Sequence, residues 1–202
     1  MPGPLTLEDI VDLRAYERER EEFRARIIDL KRRRRIGVGP FVTLVFENAD
    51  TVRFQIQEMA RAERMLSDEA IQVELDTYNP LVPGPGQLSA TLFVELTSEP
   101  ALREWLPRLV GIERSGQVII GAGSPSPLVI GCAPEEGHAA QLTRSEMTAS
   151  VHYVRWELDP PQIDAFAAGP VAIGIDHPAY SHQTLLSDDS LRELLGDLRP
   201  QI

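Results

Sequence analysis

The chain has 202 residues, of which 43% are hydrophobic, and a formal net charge of -11. It is long enough to bury one substantial core, and its acidity argues against a nucleic-acid partner, because affinity for a phosphate backbone depends on clustered Lys and Arg. No apolar run approaches the roughly 18 residues of a membrane helix and the first residues are acidic, so we expect a soluble, cytoplasmic protein. The single cysteine, Cys132, excludes an internal disulfide and any cysteine-based zinc or iron-sulfur site within one chain.

Residues 1–36 are predicted to form an N-terminal helical layer of one or two helices. Thr6 is a plausible N-cap, and apolar residues recur at helical spacing from Leu7 to Leu30. The basic run at residues 31–35 ends this layer just before Gly37. Its charge either offsets the negative end of the helix dipole or forms a docking patch for an acidic partner protein.

Residues 37–202 are predicted to form an α+β body, so we expect residues 1–202 to be a single globular domain. Segments 41–47 and 51–54, separated by Asn48-Ala49-Asp50, predict a hairpin. Helices are predicted at residues 55–66, after Ser67, after Ser98, at 161–168 and after Ser187, and further strands at 90–96, 117–120, 128–132, 150–158 and 171–176. Because the strands cluster and do not alternate strictly with helices, the sheet should be mixed or mainly antiparallel, with helices packed on it.

The helix predicted at residues 55–66 carries a polar stripe. Gln57, Glu58, Arg61 and Arg64 fall close together at helical spacing. This is either the solvated face of a helix packed on a sheet or an anion-binding or ion-pairing surface, because arginine forks suit carboxylates and phosphates.

Two of the four histidines lie in phase with the buried side of predicted strands. His152 should point the same way as Val154 and Trp156, and His177, in the sequence Ile175-Asp176-His177-Pro178, the same way as Ile175. A buried imidazole needs a partner, which is a metal, a ligand or a carbonyl oxygen. His138 and His182 lie in polar segments and should be exposed, whereas Cys132 ends an apolar run and should be a small core residue.

Six ordered stretches of the chain together resemble a bacterial domain-of-unknown-function family, number 3501. They are RFQIQEM at 53–59, RAER at 61–64, ELDTYNPL at 74–81, LVGIE at 109–113, VHYVR at 151–155 and IGIDHPAY at 173–180. The resemblance covers almost the whole chain. It implies no activity or ligand set for numbered residues, but the family's genes neighbour those of rubrerythrin-like and iron-sulfur oxidoreductase proteins, which implies service in peroxide or redox metabolism.

The leading hypothesis is therefore a cytoplasmic accessory or binding protein of a redox or peroxide-response system, with a rubrerythrin-like or iron-sulfur partner. A second hypothesis is a small metal-dependent enzyme. In it His152 and His177 ligate iron or zinc, Glu58 or Asp176 supplies a carboxylate, and Arg61 and Tyr78 orient an anionic substrate. A third is a regulator that senses a small anion through three arginines, namely Arg61, Arg64 and Arg155.

The metal hypothesis makes a geometric prediction. Segments 151–158 and 171–176 should lie in the same sheet, with His152 and His177 facing one pocket that the helix carrying Glu58 and Arg61 lines. Their ring nitrogens should then be roughly 3 to 4 Å apart.

Overall fold

The computed structural model describes residues 3–135, 137 and 147–199, which form six α-helices and nine β-strands. The helices are α1 (Leu13–Arg34), α2 (Ala49–Glu63), α3 (Asp68–Tyr78), α4 (Glu99–Arg108), α5 (Pro160–Ala168) and α6 (Asp188–Leu198). The strands are β1 (Arg35–Val38), β2 (Val42–Glu47), β3 (Gln87–Val94), β4 (Gly116–Ile120), β5 (Leu128–Gly131), β6 (Ala133–Pro134), β7 (Val151–Glu157), β8 (Val171–His177) and β9 (Tyr180–Leu185).

The strands form two antiparallel sheets, which confirms the predicted α+β class. The five-stranded sheet has the order β1-β2-β3-β7-β6, and the four-stranded sheet has the order β5-β4-β8-β9. Side chains from both sheets pack into one hydrophobic core, in which Phe46, Leu92 and Trp156 meet Val118 and Ile173. The two sheets therefore form a sandwich around a shared apolar layer.

The edge strands of the two sheets are linked at both sides of the sandwich, by the chain on one side and by hydrogen bonds on the other. On one side β5 leads directly into β6, and the amide of Cys132 between them donates to the carbonyl of Gly116 at 2.8 Å. On the other side, β9 contacts β1, where the Thr184 hydroxyl donates to the Gly37 carbonyl at 2.7 Å. The Tyr180 hydroxyl, at the start of β9, donates to the Val38 carbonyl at 2.6 Å.

A helical layer covers the face of the five-stranded sheet that points away from this core. It consists mainly of α1, α2 and α3. Val52, Ile56 and Leu75 form a second apolar cluster there, and Tyr16, Phe23 and Ile27 of α1 form a third. The sheet is thus buried on both faces, one against the other sheet and one against helices.

Polar caps begin the helices where the sequence indicates. The Ser67, Ser98 and Ser187 hydroxyls accept from the amides of Ala70, Ala101 and Ser190, respectively. These bonds satisfy amides that have no partner inside the helix. The beginnings of α3, α4 and α6 are therefore confirmed.

The hairpin predicted around Asn48 is wrong. Asn48 is instead the N-cap of α2: its side chain accepts from the Thr51 amide at 3.0 Å, while the Thr51 hydroxyl accepts from the Asn48 amide at 2.9 Å. This reciprocal capping box starts a helix within the branched residues that the sequence suggests as a second strand. Strand β2 pairs instead with β1 and β3, and β1 was not predicted.

The basic run at residues 31–35 ends α1, as predicted, but it binds within its own chain. Arg34 is 1% exposed and forms two bonds of 2.8 Å with Asp197 of α6, and Arg33 bonds Glu193 of the same helix at 3.0 Å. These ion pairs join the first and last helices. Among the described helices, none has the length and apolar content to cross a membrane.

Candidate ligand-binding pocket

The face of the five-stranded sheet that lies under the helices is polar although it is covered. Thr43, Glu47, Ser89 and Thr91 project from this face of β2 and β3 and are each at most 6% exposed. Buried polar groups destabilise a fold unless they find hydrogen-bond partners. An apolar surface under the helices would therefore stabilise the fold more than this polar one. Tyr153 of β7 is directly opposite Thr91 in the sheet and extends the polar surface by one strand.

A pocket of about 580 Å³ lies between this polar face and helices α1 and α2. This volume is within the range of small-molecule sites. Its polar lining comes from Lys31, Arg35, Glu47, Gln55, Glu58, Thr91 and Tyr153. Its apolar lining comes from Val45, Phe54, Met59, Ala62, Phe93 and Val151. The combination of apolar walls with a few convergent polar groups is typical of ligand sites.

Glu47 is the most deeply buried charged residue of the pocket, at 3% exposure. The Thr51 hydroxyl donates to one carboxylate oxygen at 2.5 Å, and the Thr91 hydroxyl donates to the other at 2.6 Å. Among the described residues, both carboxylate oxygens of Glu47 thus accept from threonine hydroxyls. Within the described ranges, no Lys, Arg or His forms an ion pair with this carboxylate.

Lys31 and Arg35 supply the positive charges of the pocket, but they differ in their partners. Arg35 forms an ion pair with Glu95, and the Thr43 hydroxyl donates to the same carboxylate at 2.6 Å. Lys31 is half-buried, and its ammonium has no ion-pair partner among residues 3–135, 137 and 147–199. Lys31 and Glu47 are therefore the two charges of the pocket that have no described counter-charge.

Glu58, one of the predicted site residues, lines the pocket but is already neutralised. The Arg20 guanidinium binds both of its carboxylate oxygens at 2.8 Å, and the Tyr16 hydroxyl donates to one of them at 2.6 Å. The Arg20 hydrogen bonds lower the pKa of Glu58 below its ordinary value. Glu58 thus joins α1 to α2 at the rim of the pocket, which is the ion-pair role that its spacing left open.

Tyr78, another predicted site residue, packs in the same apolar cluster as Tyr153. Burial raises the pKa of Tyr153, and the neighbouring Tyr78 and Glu47 act in the same direction. Tyr153 therefore stays a neutral phenol at physiological pH, hydrogen-bonded to Gln55. Its hydroxyl is positioned to act as a donor or acceptor at the pocket wall.

The remaining predicted arginines lie in different surroundings. Arg61 bonds Glu17 of α1 at 2.6 Å, and Arg64 is exposed in a left-handed conformation at the C-cap of α2. Arg155 of β7 donates to the Pro80 carbonyl at 2.6 Å, and its buried Nε finds no acceptor among the described atoms. Arg61 and Arg155 are thus hydrogen-bonded within the fold, and Arg64 is exposed. Gln57 is fully buried and binds the Val11 backbone.

His152 and His177 do point into the core in phase with their strands, but the prediction that they share a sheet is wrong. His152 belongs to β7 of the five-stranded sheet and His177 to β8 of the four-stranded sheet. Strand phase shows which face a residue lies on but not which strands are neighbours, and the connection through α5 carries the chain from one sheet to the other.

Both imidazoles are hydrogen-bonded inside the protein. His177 Nε2 is 3.1 Å from the Val110 carbonyl and its Nδ1 accepts from the Ala179 amide at 3.2 Å, so both ring nitrogens are used. His152 Nε2 is 2.8 Å from the Thr148 hydroxyl and 3.0 Å from the Ala149 carbonyl, and burial lowers its pKa. Asp176 is exposed on the opposite face of β8, where Gln117 contacts it. Nowhere in the described chain do three metal-ligating side chains cluster.

The other singled-out residues are structural or exposed. Cys132 packs against the main core, where burial raises the pKa of its thiol to about 11, and the thiol donates to the Glu113 carbonyl at 3.3 Å. His182 is exposed, as predicted, but it lies in strand β9. The sequence did not predict this strand, because the segment is polar. The prediction for His138 falls outside the described residues.

Sequence reasoning missed four residues that line the pocket, three on the sheet and one on α1. Lys31, Glu47, Thr91 and Tyr153 were not proposed as site residues. A partial signal was present, because Thr43, Glu47, Ser89, Thr91 and Tyr153 all fall on the strand face opposite the apolar core residues of β2, β3 and β7. Such alternation normally indicates a solvated face, and only the helices packed on it reveal that these polar groups are enclosed.

The family described as protein of unknown function (DUF3501) matches residues 4–198. The chain belongs to the DUF3501 family. The match spans both sheets and the helical layer, so it confirms the resemblance that the six sequence stretches indicate. A comparison with curated proteins gives no match.

This DUF3501 protein is also similar to a solved structure. That structure is the crystal structure of a protein from Burkholderia pseudomallei, described as novel and of unknown function. The TM-score is 0.85 at 36% sequence identity, and the alignment covers 96% of this chain and 99% of that chain. The fold of the DUF3501 protein is thus shared along essentially the full length of both chains.

Proposed function

We propose that the protein is a small-molecule-binding accessory protein of a bacterial redox or peroxide-response system, and that its binding site is the pocket between the five-stranded sheet and helices α1 and α2. The observation that carries the proposal is the buried Glu47 carboxylate, which has hydroxyl partners but no described counter-charge. A buried ionised group without a counter-charge costs several kcal/mol, and a ligand that neutralises it would offset that cost.

The redox assignment is supported by the gene neighbourhood that the family resemblance implies, with a rubrerythrin-like or iron-sulfur protein as partner. The proposal includes a cytoplasmic location, where thiols such as that of Cys132 remain reduced. Pull-downs from native lysate under anaerobic and oxidising conditions test the partner. Recovery of an iron-sulfur or di-iron protein supports this part, and its absence from both conditions counts against it.

Blocking the pocket tests the binding site independently of the ligand's identity. Ala62 lies on the exposed side of α2 and lines the pocket, so an indole at this position should fill it. Ala25 is an exposed alanine of α1 outside the pocket lining, and it provides the matched control.

The wild type, Ala62→Trp and Ala25→Trp are dialysed to equilibrium against a bacterial metabolite extract, and retained compounds are identified by mass spectrometry. The wild type and Ala25→Trp should retain the same compound or compounds, and Ala62→Trp should not. Retention of no compound by the wild type, or equal retention by all three proteins, would overturn the proposed site.

A further inference from the structure

The charges of the pocket indicate which class of ligand it binds. Arg35 is neutralised by Glu95, and Glu58 is neutralised by Arg20. Within the part of the chain that the structure describes, Lys31 and Glu47 remain without a counter-charge, one positive and one negative, and they do not form an ion pair with each other although both line the same pocket. A ligand that neutralises both must carry one negative and one positive group.

A ligand with a single charge would leave one of these two residues uncompensated. A purely cationic ligand would be attracted to Glu47 but repelled by Lys31, and a purely anionic ligand would meet the reverse arrangement. Repulsion between like charges costs more free energy in a partly desolvated site than in water, because the effective dielectric constant is lower there. Charge complementarity therefore discriminates between ligand classes at this site.

The apolar walls determine the rest of the ligand. Phe54 and Met59 of α2 and Phe93 and Val151 of the sheet line the same pocket. They suit a hydrocarbon or aromatic body of modest size. The aromatic rings also favour an ammonium group through their electron-rich faces.

Resting on the proposed function, we infer that the pocket binds a small zwitterion with an apolar side chain, of the class of α-amino acids and dipeptides. Its ammonium binds the Glu47 carboxylate, its carboxylate binds Lys31, and its side chain lies between Phe54 and Phe93. The Thr51 and Thr91 hydroxyls keep the Glu47 carboxylate oriented, so that the site is formed before the ligand arrives.

A ligand series on the wild type tests the inference without any substitution. L-Phenylalanine, L-leucine and the dipeptide Leu-Phe are compared by thermal shift and calorimetry with analogues that lack one charge, namely 2-phenylethylamine and 3-phenylpropionate. At least one zwitterion should raise the melting temperature, and each single-charge analogue of it should bind at least about tenfold more weakly, as expected for loss of a charge-assisted bond.

Two variants with matched controls locate the two charges. Glu47→Gln and Lys31→Met should each weaken binding of the zwitterion about tenfold or more. Glu113→Gln removes another buried carboxylate outside the pocket lining, and Arg32→Met removes an exposed cation next to Lys31 in α1; both should leave binding unchanged.

The outcomes separate this inference from the proposed function. Binding of a single-charge analogue as tightly as its zwitterion, or no shift with any zwitterion, overturns the zwitterion inference. If, in that case, the extract compounds are still retained by the wild type and lost in Ala62→Trp, the proposed function stands. If the extract compounds are not retained either, both fail.

Discussion

At the scale of single residues, two neighbouring buried side chains, those of Arg34 and Glu47, have different kinds of partner. Arg34 is bound by Asp197 and Glu193 and also donates to the backbone carbonyl of Glu47, whereas the partners of the Glu47 side chain among the described residues are hydroxyls alone. The first arrangement is complete within the fold and is expected to stabilise it. The second is complete only with a further positive group, which is why we assign it to binding.

Replacing Arg34 should therefore destabilise the fold strongly. Arg34→Met leaves the buried Asp197 carboxylate without its partner and should lower the free energy of unfolding by about 3–5 kcal/mol. Arg33→Met, in the same helical turn and also paired with Glu193 but more exposed, should cost at most about 1 kcal/mol. Urea unfolding of both variants measures the difference. Equal losses would show that the interior pair does not have the role assigned to it.

His152 should make stability depend on pH. Burial lowers its pKa in the folded protein, so below its ordinary value of about 6.5 the unfolded chain takes up the proton first. Stability should thus be retained above pH 6.5 and fall as the pH decreases below that value.

Comparison with a variant isolates this contribution from that of the carboxylates. His152→Gln should lose less stability than the wild type between pH 7.5 and 5, whereas His182→Gln, at an exposed position, should follow the wild type. Urea midpoints across this pH range provide the measurement, and parallel pH curves for wild type and His152→Gln would contradict the assignment.

Residue-level patterns could be predicted only in part. The inward direction of His152 and His177 follows from strand alternation, and it is confirmed. Their partners could not be predicted, since the Val110 and Ala149 carbonyls come from loops whose position depends on the whole fold. The role of Glu47 could not be predicted for the same reason, because its partner Thr91 is 44 residues away.

At the scale of elements, local caps could be predicted and long-range pairing could not. Ser67, Ser98 and Ser187 indicated their helices because a cap acts within three residues. The Asn48 capping box resembles a turn in the sequence, because asparagine is favoured both at helix N-caps and in turns. Strands β1 and β9 were missed because they are short or polar, and their pairing with β2 and β8 depends on tertiary contacts.

The contact between the β1–β2 turn and β9 gives a test at this scale. Gly39 has a φ of 75°, and a Cβ added there would lie 2.5 Å from the Tyr180 hydroxyl oxygen. Tyr180 cannot move aside cheaply, because it is 3% exposed and its hydroxyl bonds the Val38 carbonyl.

Gly39→Ala should consequently lower the free energy of unfolding by about 1–3 kcal/mol. Gly37→Ala, two residues earlier, has no described atom within 4 Å of its added Cβ and should change stability by less than about 1 kcal/mol. Urea denaturation of both variants decides the matter. A Gly39→Ala protein as stable as the Gly37→Ala protein would mean that this junction tolerates rearrangement.

At the scale of the whole molecule, clustering of the strands was sufficient to predict the α+β class, but not the division into two sheets. The pocket could not be predicted either, because it requires the register of β2, β3 and β7 together with the helices laid over them. From the sequence, the buried histidines are candidate metal ligands. The fold places an enclosed set of polar and charged side chains elsewhere, on the opposite face of the five-stranded sheet from His152.

We assign ligand binding to this pocket and not to the two histidines. The most direct measurement compares extract retention by the wild type, the pocket-blocked Ala62→Trp and the double variant His152→Gln/His177→Gln, each checked for folding by circular dichroism. The double variant should retain the same compounds as the wild type, and Ala62→Trp should lose them. Loss of retention in a folded double variant, with retention preserved in Ala62→Trp, would show that the binding site is at the histidines and not in the pocket.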